Sequence, residues 1–295
     1  MAPTLTKLLS MDRVRLSFKE KRVLNDLTFE VHRGETFGFL GPSGAGKTTT
    51  IKLLTKQLTK DSGSINLFGR PIENAHTSDY ESIGILSDTS SLYDRMTIEE
   101  NLKFYAKIRG VSEAGIPDLL KRVGLYDDRK TLIKKCSKGM RQRATLLAAL
   151  IHDPELLFLD EPTSGLDPVA RLEVHLMLED LHARNVTIFL TTHDMTEAER
   201  LCDRVGILNE GAIVACDNPE SLKLRYAGNK VRMLLDAGTD PESGKPCHQL
   251  VETTKDAAGA AIIAEALSSG TCLTLHSEEP TLNEVFLHLT GKEFK

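Results

Sequence analysis

Length, composition and charge describe an ordinary folded protein. The 295-residue chain is 40% hydrophobic and 27% charged, which excludes a disordered chain and allows one large domain, alone or with a small extension. Its net charge of −5, its pI near 6.0 and the lack of a long Lys/Arg run argue against nucleic-acid binding.

Three features of the sequence predict where the protein works. The five cysteines are scattered without a CxxC spacing, which indicates reduced thiols rather than a disulfide framework or a zinc site. The start lacks the apolar stretch of a signal peptide, and other apolar segments are too short to span a membrane. If the protein acts at a membrane, other chains are expected to anchor it.

Strand-like and helix-like segments alternate along the chain, a pattern typical of α/β folds. Strands are predicted at residues 8–31 (as a pair), 35–40, 83–86, 156–159, 187–191 and 205–209. Helices are predicted at residues 47–58, 98–109, 117–123, 140–152, 170–184 and 195–202. The middle of the chain, about residues 88–152, carries only helical periodicity and is expected to form a helical lobe inserted into the sheet domain.

The character of the sequence changes from about residue 227. Residues 236–246 are polar and rich in glycine and proline, so a loop is predicted there. An alanine-rich helix at 257–267, a strand at 272–276 and an amphipathic helix at 282–289 predict a small α/β extension. The predicted domains are therefore residues 5–226 and 227–295.

A glycine-rich segment after the third predicted strand matches the P-loop pattern GxxxxGK[ST]. It reads Gly41-Pro42-Ser43-Gly44-Ala45-Gly46-Lys47-Thr48, followed by Thr49. Its position between a strand and a helix supports the match, because backbone N–H groups and the helix N-terminus together bind phosphates. Lys47 is predicted to bridge the β- and γ-phosphates and Thr48 to bind Mg²⁺, with Thr49 among the nucleotide contacts.

Two acids end the apolar strand at residues 156–159. Asp160 is predicted to hold Mg²⁺ through water, and Glu161 to act as general base or to position the attacking water. A strand that ends in two acids is often only a solvated terminus. The upstream P-loop favours the catalytic interpretation.

A third motif, Cys136-Ser137-Lys138-Gly139-Met140-Arg141-Gln142-Arg143, resembles the signature of ATP-binding-cassette (ABC) proteins in the form common among drug-export cassettes. The resemblance implies that Ser137, Lys138, Gly139 and Gln142 contact ATP held by the opposite subunit, so that two cassettes sandwich two ATPs. In isolation, Ser137 could merely cap a helix that starts near Met140.

Other family elements follow the signature in order. Asp167, in Ser164-Gly165-Leu166-Asp167, resembles the D-loop residue that contacts the partner subunit. His193, in LTTHDMTEAE, resembles the switch histidine that contacts the γ-phosphate and joins Glu161 as a catalytic residue. Phe18 stands where the family places a ring that stacks on adenine, although it could equally belong to the core.

Asp88 departs from the family pattern. ABC proteins usually carry a glutamine here, whose amide oxygen touches Mg²⁺ and the attacking water. A carboxylate can also bind Mg²⁺ but adds negative charge near the γ-phosphate, so Asp88 is predicted to be a metal or water contact that alters the hydrolysis rate. The alternative is that no residue serves this role.

The resemblance covers about residues 5–226 and implies an α/β P-loop cassette: a mixed sheet with an antiparallel edge and an inserted helical subdomain. It implies an ATPase that uses ATP and Mg²⁺ and works as a homodimer of nucleotide-binding domains. Membrane-spanning permease subunits would be its partners at the cytoplasmic face of the membrane. Residues 87–95 resemble the surface that grips such a permease, and the expected cargo is a drug, peptide antibiotic or ion.

Three alternatives to an exporter remain at this point. Intact Lys47, Asp160, Glu161 and His193 argue against one of them, a non-catalytic binding or regulatory cassette. A soluble ABC protein of translation or repair usually carries two cassettes or a long coiled-coil insertion, and neither is present in this sequence. An importer ATPase more often reads LSGGQ at the signature and keeps the glutamine that Asp88 replaces. The signature motif of this chain and its Asp88 both depart from the importer pattern and therefore favour an exporter.

Overall fold

A computed structural model describes residues 6–87, 90–239, 246–277 and 279–291. The chain divides into two compact units, one reaching Pro219 and including the C-terminal end from Leu289, the other comprising Glu220–His288. This division falls at the first residue of the helix Pro219–Arg225, slightly before the boundary predicted at residues 226 and 227.

The larger unit contains two sheets and a group of helices. Its strands are β1 (Lys7–Phe18), β2 (Lys21–His32), β3 (Thr36–Leu40), β4 (Ser62–Leu67), β5 (Arg70–Pro71), β6 (Ile83–Leu86), β7 (Leu156–Asp160), β8 (Thr187–Thr192), β9 (Arg204–Asn209) and β10 (Ala212–Asp217). Its helices are α1 (Lys47–Leu54), α2 (Thr77–Glu81), α3 (Ile98–Arg109), α4 (Ile116–Arg122), α5 (Lys138–Leu150), α6 (Pro168–Ala183) and α7 (Met195–Leu201). Short 3₁₀ turns lie at Ile72–Asn74, Glu113–Gly115 and Ile133–Lys135.

The central sheet has six strands in the order β10-β9-β3-β8-β7-β6. Only β10 runs antiparallel to its neighbour, which confirms the predicted mixed sheet with an antiparallel edge. Every residue of β3, β7 and β8 is buried, as expected of parallel strands covered on both faces. A second, antiparallel sheet has the order β2-β1-β4-β5.

Aromatic rings join the two sheets. Phe29 of β2 lies 5.6 Å from Phe37 and 5.4 Å from Phe39 of β3, measured between ring centroids. Phe189 of β8 lies 5.8 Å from Phe29, and Phe158 of β7 lies 5.6 Å from Phe189. This cluster fixes the strands that carry the loops at the carboxyl ends of the parallel sheet.

The differences between predicted and observed helix bounds are largest for α1 and α5, and both have local reasons. Helix α1 ends at Leu54 rather than near residue 58, because Lys56 adopts a positive φ of 57° that no α-helix accommodates. Helix α5 begins at Lys138 rather than near Met140, because the Ser137 side chain caps it.

The second unit begins with α8 (Pro219–Arg225) and contains a three-stranded sheet in the order β12-β11-β13. Its other elements are β11 (Lys230–Thr239), β12 (Pro246–Thr254), α9 (Ala257–Ser268), β13 (Cys272–Ser277) and α10 (Leu282–Thr290), the last of which extends past the division at Leu289. The loop predicted at residues 236–246 is wrong at both ends, because Asp236 pairs with His248 and Thr239 with Pro246 in a β-ladder. Residues 240–245, also within that predicted loop, lie outside the described residues. Among the described helices of the whole chain, none combines the length and apolarity needed to cross a membrane.

Candidate functional site

The predicted phosphate, acid and histidine motifs meet at the carboxyl edge of the parallel sheet. Strand β8 pairs with both β3 and β7, with Leu40 opposite Thr192 and Asp160 opposite Thr191. The segments that follow these three strand ends therefore converge, as ligand-binding loops do in open α/β sheets. They enclose a cleft of about 380 Å³ lined by Pro42, Ser43, Gly44, Gly46, Lys47, Thr48, Thr49, Asp160, Glu161, Ser164 and His193.

Two glycines give the P-loop its shape. Gly46 has a φ of 114° directly before α1, a conformation that L-residues with side chains rarely adopt. At Gly41, a β-carbon would stand 2.8 Å from the carbonyl oxygen of Leu208, so only glycine allows this close backbone approach. The loop thereby presents the N-terminus of α1 to the cleft, where N–H groups and the helix dipole favour an anion.

Lys47 lies buried at the floor of the cleft. Its ammonium donates to the carbonyl oxygen of Gly41 at 2.5 Å and lies 3.2 Å from Oε1 of Glu161. The carbonyl oxygen of Pro42 lies 3.5 Å from the same ammonium group. The side chain is thus held where a phosphate bound to the loop would meet it.

Two hydroxyl groups hold the carboxylate of Asp160. Thr48 donates to Oδ2 at 2.7 Å, and Thr191 donates to Oδ1 at 2.5 Å. Carboxylate and hydroxyl oxygens are the hard ligands that Mg²⁺ prefers, so the chemistry of this pair fits that ion. The third predicted metal contact, Asp88, lies outside the described residues.

Glu161 occupies a strained turn next to Asp160. Its φ is 51°, in the left-handed region that is uncommon for residues other than glycine. Its N–H donates to the carbonyl oxygen of Thr191 at 3.0 Å, and its Oε2 lies 2.5 Å from Nδ1 of His193. A carboxylate fixed in this way, next to a phosphate loop, can accept a proton from water.

The signature residues lie outside this cleft. The Ser137 hydroxyl accepts from the Met140 N–H at 3.1 Å, so it caps α5, which was one of the two roles open from the sequence. At Gly139, a β-carbon would stand 2.6 Å from Cβ of Ala170, so α5 and α6 approach closely there.

The other signature side chains contact the segment that leads from Glu161 to α6. Gln142 Nε2 donates to the carbonyl oxygen of Pro162 at 2.6 Å, and the Lys138 ammonium fills the space beside Gly165. Asp167 caps α6 by accepting from the N–H groups of Val169 and Ala170.

Phe18 also lies apart from the lining of the cleft. It is the last residue of β1, and 47% of its surface is exposed. The sequence left open whether Phe18 belongs to the core, and this exposure excludes a core position. An exposed ring on a strand end remains free to stack on a flat ligand.

The sequence interpretation missed several residues that hold the site. Thr191 contacts both acids, and a buried group of Thr163, Glu197 and His175 lies behind them. The only sequence signal for Thr191 is the polar end of an otherwise apolar strand. No signal connects Thr163 with Glu197, because the two residues are 34 positions apart in the chain.

Comparisons with known proteins agree with this geometry. The ABC transporter family matches residues 24–164. A fluoroquinolones export ATP-binding protein of Mycobacterium tuberculosis is 40% identical over 277 residues, covering 90% of this chain and 87% of that protein. The Nod factor export ATP-binding protein I of Bradyrhizobium diazoefficiens is 37% identical over 293 residues, 96% of each chain. Among solved structures, an ATP-binding subunit of an ABC transporter superposes with a TM-score of 0.67 at 31% identity, covering 74% of this chain and 93% of that one.

Proposed function

The chain belongs to the family of ABC transporter ATP-binding proteins, and from this premise we propose that it powers export through separate membrane-spanning subunits. It is an ATPase that binds ATP. The observation that carries the export proposal is the match, along nine tenths of the chain, to proteins named for export. We take the first unit, up to Pro219, to carry the cassette predicted at residues 5–226. We take the second unit, Glu220–His288, to be most of the extension predicted at 227–295.

The proposed reaction uses the cleft residues as follows. The P-loop amides and Lys47 bind the phosphates of ATP, and Phe18 stacks on adenine. Glu161 accepts a proton from the attacking water, while His193 orients that carboxylate and contacts the γ-phosphate. The 2.5 Å separation between His193 and Glu161 supports this assignment.

Thr48 and Asp160 would hold Mg²⁺, with Asp88 as a third contact. The bound ion would neutralise phosphate charge that the protein alone leaves uncompensated. Replacement of Asp88 by glutamine tests its part. An unchanged Mg²⁺ dependence and ATPase rate in that variant would remove Asp88 from the site.

The active state is proposed to be a homodimer of cassettes. Ser137, Lys138, Gly139 and Gln142 would contact the ATP of the opposite copy, and Asp167 would lie at the contact between the copies. The N-terminus of α5 carries the partial positive charge of the helix dipole, which supports this arrangement. Closure on ATP and opening after hydrolysis would then move the attached permease.

The protein would lie at the cytoplasmic face of the membrane, held there by its permease. We propose an antibiotic-like drug as cargo, because the relative at 40% identity is named for fluoroquinolone export. Deletion of the gene should sensitise cells to drugs of one class, and only the active chain should restore resistance. Sensitivity to peptides or sodium ions instead would replace the drug proposal and keep the export proposal.

Affinity purification of the full chain from native membranes tests the export proposal against its alternatives. We expect a polytopic membrane protein to copurify. Ribosomes or a soluble scaffold in its place would indicate a non-transport ABC protein. An accompanying extracellular binding protein, with uptake that depends on it, would indicate an importer.

A further inference from the structure

A buried carboxylate behind the cleft takes no part in the proposed chemistry. Glu197 of α7 is 1% exposed, and its Oε1 accepts from the Thr163 hydroxyl at 2.8 Å. The same oxygen lies 3.1 Å from Nε2 of His175 on α6. Thr163 and His175 are also buried, so these three side chains form a closed polar group inside the larger unit.

Stability alone does not explain this group. A buried carboxylate is costly unless its lone pairs are satisfied, and apolar replacements of buried ion pairs are often as stable or more so. In the described part of the chain, Oε2 of Glu197 has no hydrogen-bond partner. The cost is therefore only partly offset, and the contacts that Glu197 does make, to Thr163 and His175, join specific elements of the larger unit.

The elements joined here are those that carry the reacting groups. Thr163 stands two positions after Glu161, and its carbonyl oxygen accepts from the Leu166 N–H at 3.1 Å in the turn towards α6. Glu197 lies in the first turn of α7, where its own N–H donates at 3.2 Å to Asp194, the residue after His193. One side-chain bond thus connects the segment behind Glu161 to the segment behind His193.

A second contact runs beside the first. Arg171 of α6 donates to Oδ2 of Asp194 at 2.7 Å, one helical turn before His175 contacts Glu197. Helix α6 is therefore tied twice to α7. Because α6 starts at Pro168, directly after the segment that leads from Glu161, a displacement of that segment is passed to the first turn of α7.

We propose that Glu197 is a positioning residue for ATP hydrolysis: it holds the segments behind Glu161 and His193 in register through Thr163 and His175. This inference rests on the proposed roles of Glu161 and His193. Glu197 does not line the nucleotide cleft. Its loss should therefore lower turnover while ATP binding is kept.

The test compares three changes in the full chain. Glu197→Met removes the acceptor while keeping the volume, Glu197→Gln keeps an oxygen for Thr163, and Thr163→Val removes only the hydroxyl. For Glu197→Met, we expect kcat to fall about tenfold or more, since small misplacements of reacting groups are costly, with the Kd for ATP unchanged. Glu197→Gln should recover most of the lost kcat, and Thr163→Val combined with Glu197→Met should be no worse than the worse single variant.

Glu35 offers a matched control. It is a buried glutamate whose Oε2 lies 3.3 Å from Nδ1 of His32, at the opposite end of β3 from the P-loop. Glu35→Met, the same substitution as in Glu197→Met, should lower the melting temperature and leave kcat unchanged. This control distinguishes the effect of losing a buried glutamate–histidine contact from the effect of misplacing the segments behind Glu161 and His193.

Several outcomes would overturn the proposal: an unchanged kcat in Glu197→Met, a parallel loss of kcat and ATP affinity, or no recovery with glutamine. If Glu197→Met fails to fold, Thr163→Val decides alone, because it deletes one oxygen only. Glu161→Gln serves as the reference for the proposed function. Full turnover in Glu161→Gln would refute the catalytic assignment, whereas its loss together with an unaffected Glu197→Met refutes the positioning role alone.

Discussion

Nδ1 of His193 and Oε2 of Glu161 lie 2.5 Å apart, although the two residues come from different strand ends. The contact exists because β7 and β8 are parallel neighbours with Asp160 opposite Thr191. It leaves the second oxygen of Glu161 3.2 Å from Lys47. One carboxylate therefore connects His193 with Lys47.

Glu161→Gln should retain ATP and lose hydrolysis. The amide keeps the size of the side chain but cannot accept a proton, so we expect kcat to fall by about 10²-fold or more. Steady-state ATPase assays and equilibrium binding of ATP check the two parts.

His193→Ala should lower kcat less than Glu161→Gln does and should add little to that loss in the double variant, because both residues act through one carboxylate. Independent, multiplying losses would contradict this.

Thr48→Val should weaken the response to Mg²⁺. The valine cannot donate to Asp160 or bind a cation, so the Mg²⁺ concentration for half-maximal ATPase activity should rise by about tenfold or more. Thr55→Val is the control at the residue directly after α1, since the Thr55 hydroxyl lies away from Asp160 and donates to the carbonyl oxygens of Ile51 and Lys52. Equal behaviour of the two variants would argue against a metal role for Thr48.

Gly41→Ala should damage the P-loop. Its new methyl group would meet the carbonyl oxygen of Leu208 at 2.8 Å, and such overpacking typically costs about 1–3 kcal/mol of unfolding free energy. ATP affinity should fall with it. Gly115→Ala is the matched control, because a β-carbon there meets no atom of the described residues within 4 Å. Thermal unfolding with and without ATP distinguishes them, and an undisturbed Gly41→Ala would contradict the geometry.

Phe18→Ala should weaken binding of nucleotides but not of inorganic triphosphate. Aromatic stacking contributes roughly 0.5–1.5 kcal/mol, which corresponds to a loss of up to about tenfold in affinity. Both ligands can be measured by calorimetry on the same protein preparation. A loss that is equal for ATP and triphosphate would mean that Phe18 supports the loop rather than the base.

Acid should destabilise the larger unit partly through His152. Burial, together with the charge of Arg109, lowers the pKa of this imidazole below its ordinary value near 6.5. The unfolded chain then takes the proton more readily, so the stabilisation is complete above that ordinary value and is lost as the pH falls. Nε2 lies 3.0 Å from the carbonyl oxygen of Ile83, and Nδ1 is buried without a partner among the described residues.

His152→Gln keeps a donor for Ile83 and removes the titration. The unfolding free energy of the native protein should fall between about pH 7.5 and about pH 5.5 by more than that of the variant, because only the native protein carries this histidine. Urea unfolding at the two pH values measures it. A difference that does not change with pH would show that His152 takes no proton in this range.

Local motifs could be predicted from the sequence, and contacts between distant segments could not. The P-loop depends on glycines at Gly41 and Gly46 and on the strand and helix that flank them, all of which lie within a few residues. The pair Asp160 and Glu161 is visible for the same reason. The contacts of Thr191 with Asp160 and of Thr163 with Glu197 depend on which strands become neighbours, and this order is set by the whole sheet.

The strands that were missed have weak patterns. In β10 most residues are only half-buried, and in β11 only Val231 and Met233 are fully buried. Such strands show little alternation, so polarity and turn-forming residues suggested a loop where β11 and β12 form a ladder. Hydrophobic periodicity in a sequence reveals a strand when one face of that strand is buried. In β10 and β11 too few residues are buried to give this signal.

The close approach at Gly139 and Ala170 has a mechanical consequence. The backbone of α5 at Gly139 packs against the methyl group of Ala170, so no long, flexible side chain lies between the two helices there to absorb sliding or tilting. If the helices of the inserted lobe rotate during the ATPase cycle, the start of α6 has to rotate together with α5. A bulkier residue at either position would push α5 and α6 apart, so that the rotation of one helix would no longer be passed to the other. This would happen even if every phosphate-binding group stayed in place.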